Sequence, residues 1–145
     1  MVDFAIELAL SAIHDCASIL LESASYILAE LPKITISEPF RLQILDRCHS
    51  ALGTRHDILS VLDEMDDRAG SGLTSIEILV DMKRILAWIQ DDLLAFHQVV
   101  KALEIKSSQD PEVSTAYILV AESVTNILNA YDRARSLVDS VSTGE

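Results

Sequence analysis

Four histidines and two cysteines are the side chains in this sequence whose chemistry would be easiest to recognise: His14, His49, His56, His97, Cys16 and Cys48. A metal site in a helical protein needs several ligands on facing helices, and di-iron sites use a Glu-x-x-His pair on two of them. The sequence contains neither a Glu-x-x-His nor a Cys-x-x-Cys spacing. We therefore expect no metal site and no cofactor.

The sequence also lacks the residue patterns of nucleophilic catalysis and of phosphate binding. A serine, cysteine or threonine nucleophile needs a base and an oxyanion hole, and no segment predicts that assembly. The Gly70-Ser71-Gly72 segment is too short for a phosphate-binding loop and is typical of a turn between helices. Cys16 and Cys48 are expected to be buried, reduced thiols of a cytoplasmic protein. We expect a protein that is not an enzyme.

Residues 49–53 read His-Ser-Ala-Leu-Gly, and this run resembles the phospho-acceptor motif of histidine phosphotransfer domains. Those domains are four-helix bundles in which an exposed histidine on a central helix is followed four residues later by a glycine. The glycine makes room for a response-regulator domain. The resemblance implies that His49 would accept the phosphoryl group and that Gly53 would face the partner. Where the family usually has a lysine three residues after the histidine, this chain has Leu52.

The composition restricts the range of partners. The chain has 145 residues, of which 23 are acidic and 11 basic, giving a formal net charge of -12. No cluster of lysine and arginine is dense enough to follow a phosphate backbone, so nucleic-acid binding is not expected. Half of the residues are hydrophobic and the mean hydropathy is +0.29. Such an apolar chain predicts that a partner or a second copy covers part of its surface.

Three breaks, at residues 32–37, 70–73 and 106–109, divide the chain into segments of about 30 residues, or about 45 Å as helix. Ser37, Thr74 and Asp110 each stand where a helix-capping side chain is preferred. The predicted helices cover about 3–31, 38–69, 75–106 and 111–142, all within a single domain at 1–145.

Apolar residues in the first, third and fourth segments recur at alternating steps of three and four. The first helix shows the pattern through Ile6, Leu10, Ile13, Ala17 and Leu20. A period of 3.5 residues is typical of helices that pack at shallow crossing angles. Four such helices with short connections predict an all-α, antiparallel, up-down-up-down four-helix bundle.

The N-terminal segment is apolar but lacks the basic start of a signal peptide. Glu7, His14, Asp15 and Glu22 are expected to interrupt any membrane span, so we expect no stable membrane insertion and a cytoplasmic location. A membrane-active bundle that opens and inserts its first helix is an alternative motivated by the aliphatic content.

The first predicted helix has a second stripe beside its large apolar residues, made mostly of small side chains. We predict that the stripe docks a partner helix or forms a homodimer, unless a neighbouring helix of the same bundle fills it. The candidate docking residues are Ala5, Leu8, Ala9, Ala12, Cys16 and Ile19.

Arg55 falls at the middle of the apolar seam of the second helix. A buried charge needs partners or a route to solvent. We predict either a stem that reaches water or a polar node in which Arg55 meets Tyr131 and Asp92.

The function that these observations favour is that of a non-catalytic protein-protein interaction bundle acting through its first helix. Adaptor, inhibitor, immunity and chaperone-like roles are all compatible with it. Histidine phosphotransfer through His49 is the alternative from another class.

Overall fold

Four long α-helices joined by short connections make up this protein. A computed structural model describes residues 2–69 and 75–143, and no strand occurs within those two ranges. A single turn of 3-10 helix, Leu31–Lys33, follows the first helix. The predicted helix bounds differ from the observed ones by no more than one residue. The helices are α1 (Val2–Glu30), α2 (Glu38–Ala69), α3 (Ser75–Ser107) and α4 (Pro111–Thr143).

The helices form a closed ring around a shared core. α1 packs against α2 and α4, and α3 packs against the same two helices. Because the connections are short, consecutive helices run in opposite directions. The predicted all-α four-helix bundle is confirmed.

The start of α4 shows how a local sequence signal fixes a helix end. The Asp110 carboxylate accepts a hydrogen bond from the backbone N–H of Glu112 at 3.1 Å, and the Asp110 carbonyl accepts one from Val113 at 3.1 Å. This is the predicted cap, because the side chain satisfies an N–H that the helix leaves unpaired. The predicted turn at residues 70–73 and the cap at Thr74 lie outside the described residues.

Arg41 ties the connection between α1 and α2 to the first turn of α2. Its guanidinium donates to the backbone carbonyls of Leu31 at 3.2 Å and Ile34 at 2.9 Å. The backbone N–H of Arg41 donates to the Ser37 carbonyl at 3.1 Å, and this hydrogen bond closes the first turn of α2. The Leu31 carbonyl also accepts the backbone N–H of Ile34 at 3.1 Å, so the guanidinium is its second donor. Sequence reasoning did not single out this residue.

The core is aliphatic, as the low aromatic content of the sequence requires. The inward faces of all four helices contribute to one continuous cluster of buried side chains. Its largest fully buried members are Ile13, Leu20, Ile27, Leu31, Ile44, Ile58, Met82, Ile85, Ile89, Phe96, Leu103 and Ile127.

α2 is the helix that packs least extensively against its neighbours. Its inward face carries the small residues Cys48 and Ala51 and the half-buried Arg55. Among the described residues, fewer hydrophobic side chains are buried on α2 than on α4.

Among the described residues, one segment, Phe4–Lys33, is long and apolar enough to cross a membrane by length and composition, and its 18-residue apolar window has a mean hydropathy of 1.6. That Glu7, His14, Asp15 and Glu22 prevent stable membrane insertion stays a prediction, because length and composition alone admit up to two Asp, Glu, Lys or Arg residues in the apolar window. A core helix of a bundle meets the same criterion, since its inward face is apolar.

Candidate protein-interaction site

The small-residue stripe of α1 lies mostly inside the bundle. Ala9, Ala12 and Cys16 are buried, with at most 2% of each residue exposed. Ala5 and Ile19 are half-buried, and of the six predicted docking residues only Leu8 is exposed, at 37%. The chain's own helices cover the three buried positions, so a partner could not reach them without opening the bundle.

α4 is the helix that lies beside this stripe. The Asp15 carboxylate is 3.7 Å from the Arg133 guanidinium, which joins α1 to α4. Small side chains allow two helices to approach closely, and α1 and α4 pack together more extensively than any other pair. In this fold, Ala9, Ala12 and Cys16 therefore allow helices of the same chain to pack closely.

A groove remains open along the outer edge of the same contact. It has a volume of about 520 Å³. From Ala12 to Glu22 it follows α1 for ten residues, which corresponds to about 15 Å or three helical turns. We call it the α1–α4 groove. It is lined by Ala12, Asp15, Ser18, Ile19 and Glu22 of α1 and by Asn126, Asn129, Ala130 and Arg133 of α4.

The floor and the rims of the α1–α4 groove differ in chemistry. Ala12, Ile19 and Ala130 are apolar and buried or half-buried, whereas Asn126 and Asn129 are exposed. A carboxamide both donates and accepts hydrogen bonds. The groove therefore offers a shallow apolar floor with hydrogen-bonding groups along one rim.

The rim on α1 is negatively charged. α1 contains five acidic residues and no lysine or arginine. Asp15 is paired with Arg133, but both side chains are more than half exposed, so solvent weakens this ion pair. Glu22 adds a second carboxylate to the same rim.

The predicted polar node of Arg55, Tyr131 and Asp92 is not assembled. Asp92 is buried and accepts a hydrogen bond from the Ser50 hydroxyl at 3.0 Å, and its other carboxylate oxygen has no hydrogen-bond partner among the described residues. Tyr131 is buried and Arg55 is half-buried. No hydrogen bond or ion pair in the described part of the chain joins Arg55 to Tyr131 or Asp92. A half-buried arginine can direct its guanidinium to solvent along its stem, which agrees with the other arrangement predicted for Arg55.

His49 and Gly53 lie on the exposed side of α2. They are four residues apart and therefore share one face of the helix. A Cβ built on Gly53 would have no neighbouring atom within 4 Å. No close approach by another described residue accounts for this glycine.

The cysteines are placed as inert core residues. Burial raises the pKa of Cys16 from 9.0 to about 12, with a further contribution from the neighbouring Asp15 carboxylate. Burial likewise raises the pKa of Cys48 to about 12. Thiolates react and bind metals, whereas these groups stay protonated at neutral pH. Within residues 2–69 and 75–143, no three His, Cys, Asp or Glu side chains form a group that could hold a metal ion.

The α4 side of the groove was not anticipated from sequence. Asn126, Asn129 and Arg133 fall on the polar face of an amphipathic helix, where such residues are ordinary. Only their position opposite α1 gives them a shared surface.

No family model matches the chain, and no curated protein or solved structure matches it either.

Proposed function

We propose that this chain is a non-catalytic interaction module that binds a basic α-helix of another protein in the α1–α4 groove. The observation that carries the proposal is the groove itself, about 520 Å³ in volume with an apolar floor and polar rims. An amphipathic helix laid in a groove is a recurring mode of recognition.

The size of the floor side chains supports a helix as the occupant. Ala130 is small and half-buried, so the backbone of a third helix could approach α4 closely, and the half-buried Ile19 would contact that helix from α1. The groove follows α1 for about three turns, which would seat residues three and four apart on one face of the incoming helix.

The charge of α1 supports a basic partner and argues against a second copy at this site. A second copy would bring another helix with five acidic residues and no basic ones against the same rim. A helix bearing lysine or arginine beside its apolar face would instead meet Glu22 and Asp15. Complementary charges of this kind mainly raise the association rate and the specificity.

A pair of synthetic helical peptides of about 20 residues, or ~30 Å, tests the proposal. Both carry alanine and leucine on one face; one carries lysine on the other face and its twin carries glutamate. Fluorescence anisotropy should show the basic peptide binding at least about tenfold more tightly, by roughly 1.4 kcal/mol. The difference should shrink as salt is raised.

Filling the groove should abolish this binding. Asn129→Trp places a large side chain on the rim, and Gln98→Trp makes the same change of an exposed carboxamide in the groove between α2 and α3. The first variant should lose binding of the basic peptide and the second should keep it. The proposal would be wrong if both peptides bound with equal affinity, or if the Asn129→Trp variant bound the basic peptide as tightly as the wild type does.

Histidine phosphotransfer by His49 is a second candidate, favoured by the exposure of His49 and Gly53 on one side of α2. An imidazole nitrogen would attack the phosphorus of an aspartyl phosphate on a receiver domain. The phosphorus–oxygen bond breaks, the aspartate leaves as a carboxylate, and the imidazole proton passes to solvent.

Incubation with a radiolabelled, phosphorylated receiver domain tests this candidate. Label should pass to the wild type and to His56→Gln, which removes another exposed histidine of α2, but not to His49→Gln. Transfer to His49→Gln, or to none of the three, removes the candidate.

A further inference from the structure

The contacts that hold α2 in the bundle differ along its length. Its N-terminal part carries the fully buried Ile44 and is tied to the preceding connection by the Arg41 guanidinium. In the middle of α2, Leu52 is only half-buried, and the inward positions carry two small residues and a half-buried arginine: Cys48, Ala51 and Arg55. These inward positions therefore contribute little apolar surface of their own to the core.

The contact between α2 and α3 in this region includes a carboxylate with too few hydrogen-bond donors. Asp92 of α3 is buried and accepts one hydrogen bond, from the Ser50 hydroxyl at 3.0 Å. Its second carboxylate oxygen has no hydrogen-bond partner among the described residues. A buried polar atom without a partner is unfavourable compared with the same atom in water. Because separating α2 from α3 would hydrate Asp92, this group lowers the free energy needed to separate them.

The intrinsic stability of α2 as a helix is also low in its middle and toward its C-terminal end. Gly53 disfavours helix relative to alanine, and a Cβ at this position would meet nothing within 4 Å. Further along, residues 63–67 contain four acidic residues and no basic one. Like charges three and four residues apart repel each other, and negative charge near the C-terminal end of a helix is unfavourable. Low helix stability and limited packing therefore coincide within residues 48–69.

The other three helices have extensive contacts that do not involve α2. α4 packs against α1 and against α3 more extensively than α2 does. Buried hydrophobic side chains occur along the length of α4, from Val113 to Val141. Because α4 contacts both α1 and α3, it can hold these two helices together while α2 moves.

We infer that residues 48–69 of α2 form a strap that opens from the bundle as a unit while α1, α3 and α4 stay packed. Proteins open locally in cooperative segments, and segments with few buried apolar contacts open at the lowest free energy. The open form would uncover the core between α1 and α3 and would hydrate Asp92. The α1–α4 groove contains no residue of α2, so the inference does not depend on what that groove binds.

The two native cysteines provide the first test. Cys48 belongs to the strap, whereas Cys16 belongs to the α1 stripe beside α4, and both are buried. The initial rate of maleimide modification of each thiol, divided by its rate in the urea-unfolded chain, measures how often that thiol is uncovered. Mass spectrometry of tryptic peptides should show Cys48 uncovered at least about tenfold more often than Cys16. Equal values, or a larger value for Cys16, would contradict the inference.

Amide hydrogen exchange with two variants separates opening of the strap from global unfolding. Val124→Ala removes apolar contacts of a buried residue in the groove between α3 and α4. It should speed exchange in α1 and α4 about fivefold and leave residues 48–69 unchanged, because these contacts persist in the open form. Gly53→Ala should slow exchange within residues 48–69 by about two- to fivefold.

The outcome of the exchange experiment that would overturn the inference is a single cooperative unit. In that case the strap and α4 would be equally protected in the wild type, and Val124→Ala would speed exchange equally in both.

Discussion

At the scale of single residues, Asp92 has the side chain that most needs hydrogen-bond partners, because it is an acidic residue buried in the bundle. Among the described residues it is the only charged side chain that is buried, and the Ser50 hydroxyl is its one hydrogen-bond donor. Removing one partner of a buried polar pair costs more than removing both. The pair therefore allows a clear comparison between single and double substitutions.

We expect Ser50→Ala to lower the free energy of unfolding by about 1–3 kcal/mol, because it takes away the last donor to a buried carboxylate. The double variant Ser50→Ala/Asp92→Leu should regain that loss or exceed the wild type. Urea unfolding followed by circular dichroism measures both. A neutral Ser50→Ala would contradict this account of the pair.

The buried thiols predict how stability changes in alkali. Their pKa values in the folded protein, about 12, lie above those of the unfolded chain. Their stabilising contribution is therefore complete below about pH 8.5 and is lost as the pH rises toward 12. Over this window the unfolding free energy should fall by about 1.4 kcal/mol per pH unit for each thiol that ionises only when unfolded.

The matched control for the alkaline experiment is the double variant Cys16→Ala/Cys48→Ala. It retains the tyrosines and lysines that also titrate in this range, so subtracting its pH dependence isolates the thiols. Identical pH dependences for the two proteins would refute the prediction.

At the scale of the helices, Gly53 lowers the stability of α2, because it lies in the middle of that helix. A glycine inside a helix costs about 1 kcal/mol relative to alanine, and a Cβ at this position would meet nothing within 4 Å. Gly53→Ala should therefore raise the unfolding free energy by about 0.5–1 kcal/mol. Thermal and urea unfolding check this, and a destabilised variant would disprove it.

The connection between α1 and α2 depends on Arg41. Arg41→Ala removes two hydrogen bonds to the carbonyls of Leu31 and Ile34, and should cost about 1–3 kcal/mol. Arg41→Lys should recover only part of this, because an ammonium group cannot present the planar fork of a guanidinium.

Arg133→Ala is the control for the Arg41 experiment. It removes an arginine whose ion pair with Asp15 is exposed, so it should change stability by less than about 1 kcal/mol. Equal losses from Arg41→Ala and Arg133→Ala would show that the carbonyl contacts do not stabilise the connection.

At the scale of the whole molecule, the net charge of -12 opposes the compact state. α1 adds five acidic residues without a basic one, so the repulsion is uneven. Raising the ionic strength from about 0.01 M to 0.15 M shortens the screening length from about 30 Å to about 8 Å. The melting temperature should rise over this interval.

Sodium chloride and choline chloride should give the same rise, since screening depends on ionic strength and not on the identity of the cation. The variant Glu7→Lys, which changes an exposed residue of α1, should show a smaller rise. A melting temperature that falls or stays constant with added salt would contradict the prediction.

The sequence by itself determined the helices and their inward faces. Caps such as Asp110 and apolar residues at steps of three and four, such as Ile6, Ile13 and Leu20, act within a few residues of each other. Because these signals are local, they predicted the helix bounds to within one residue and the four-helix bundle.

Only the tertiary structure decided what covers each face. A stripe such as Ala9, Ala12 and Cys16 fits a helix of the same chain as well as a partner's, because its spacing carries no information about which helix lies against it. Ser50 and Asp92 are 42 residues apart, and no local pattern links them. Packing over such separations places α4 against α1, and it leaves the α1–α4 groove on the surface.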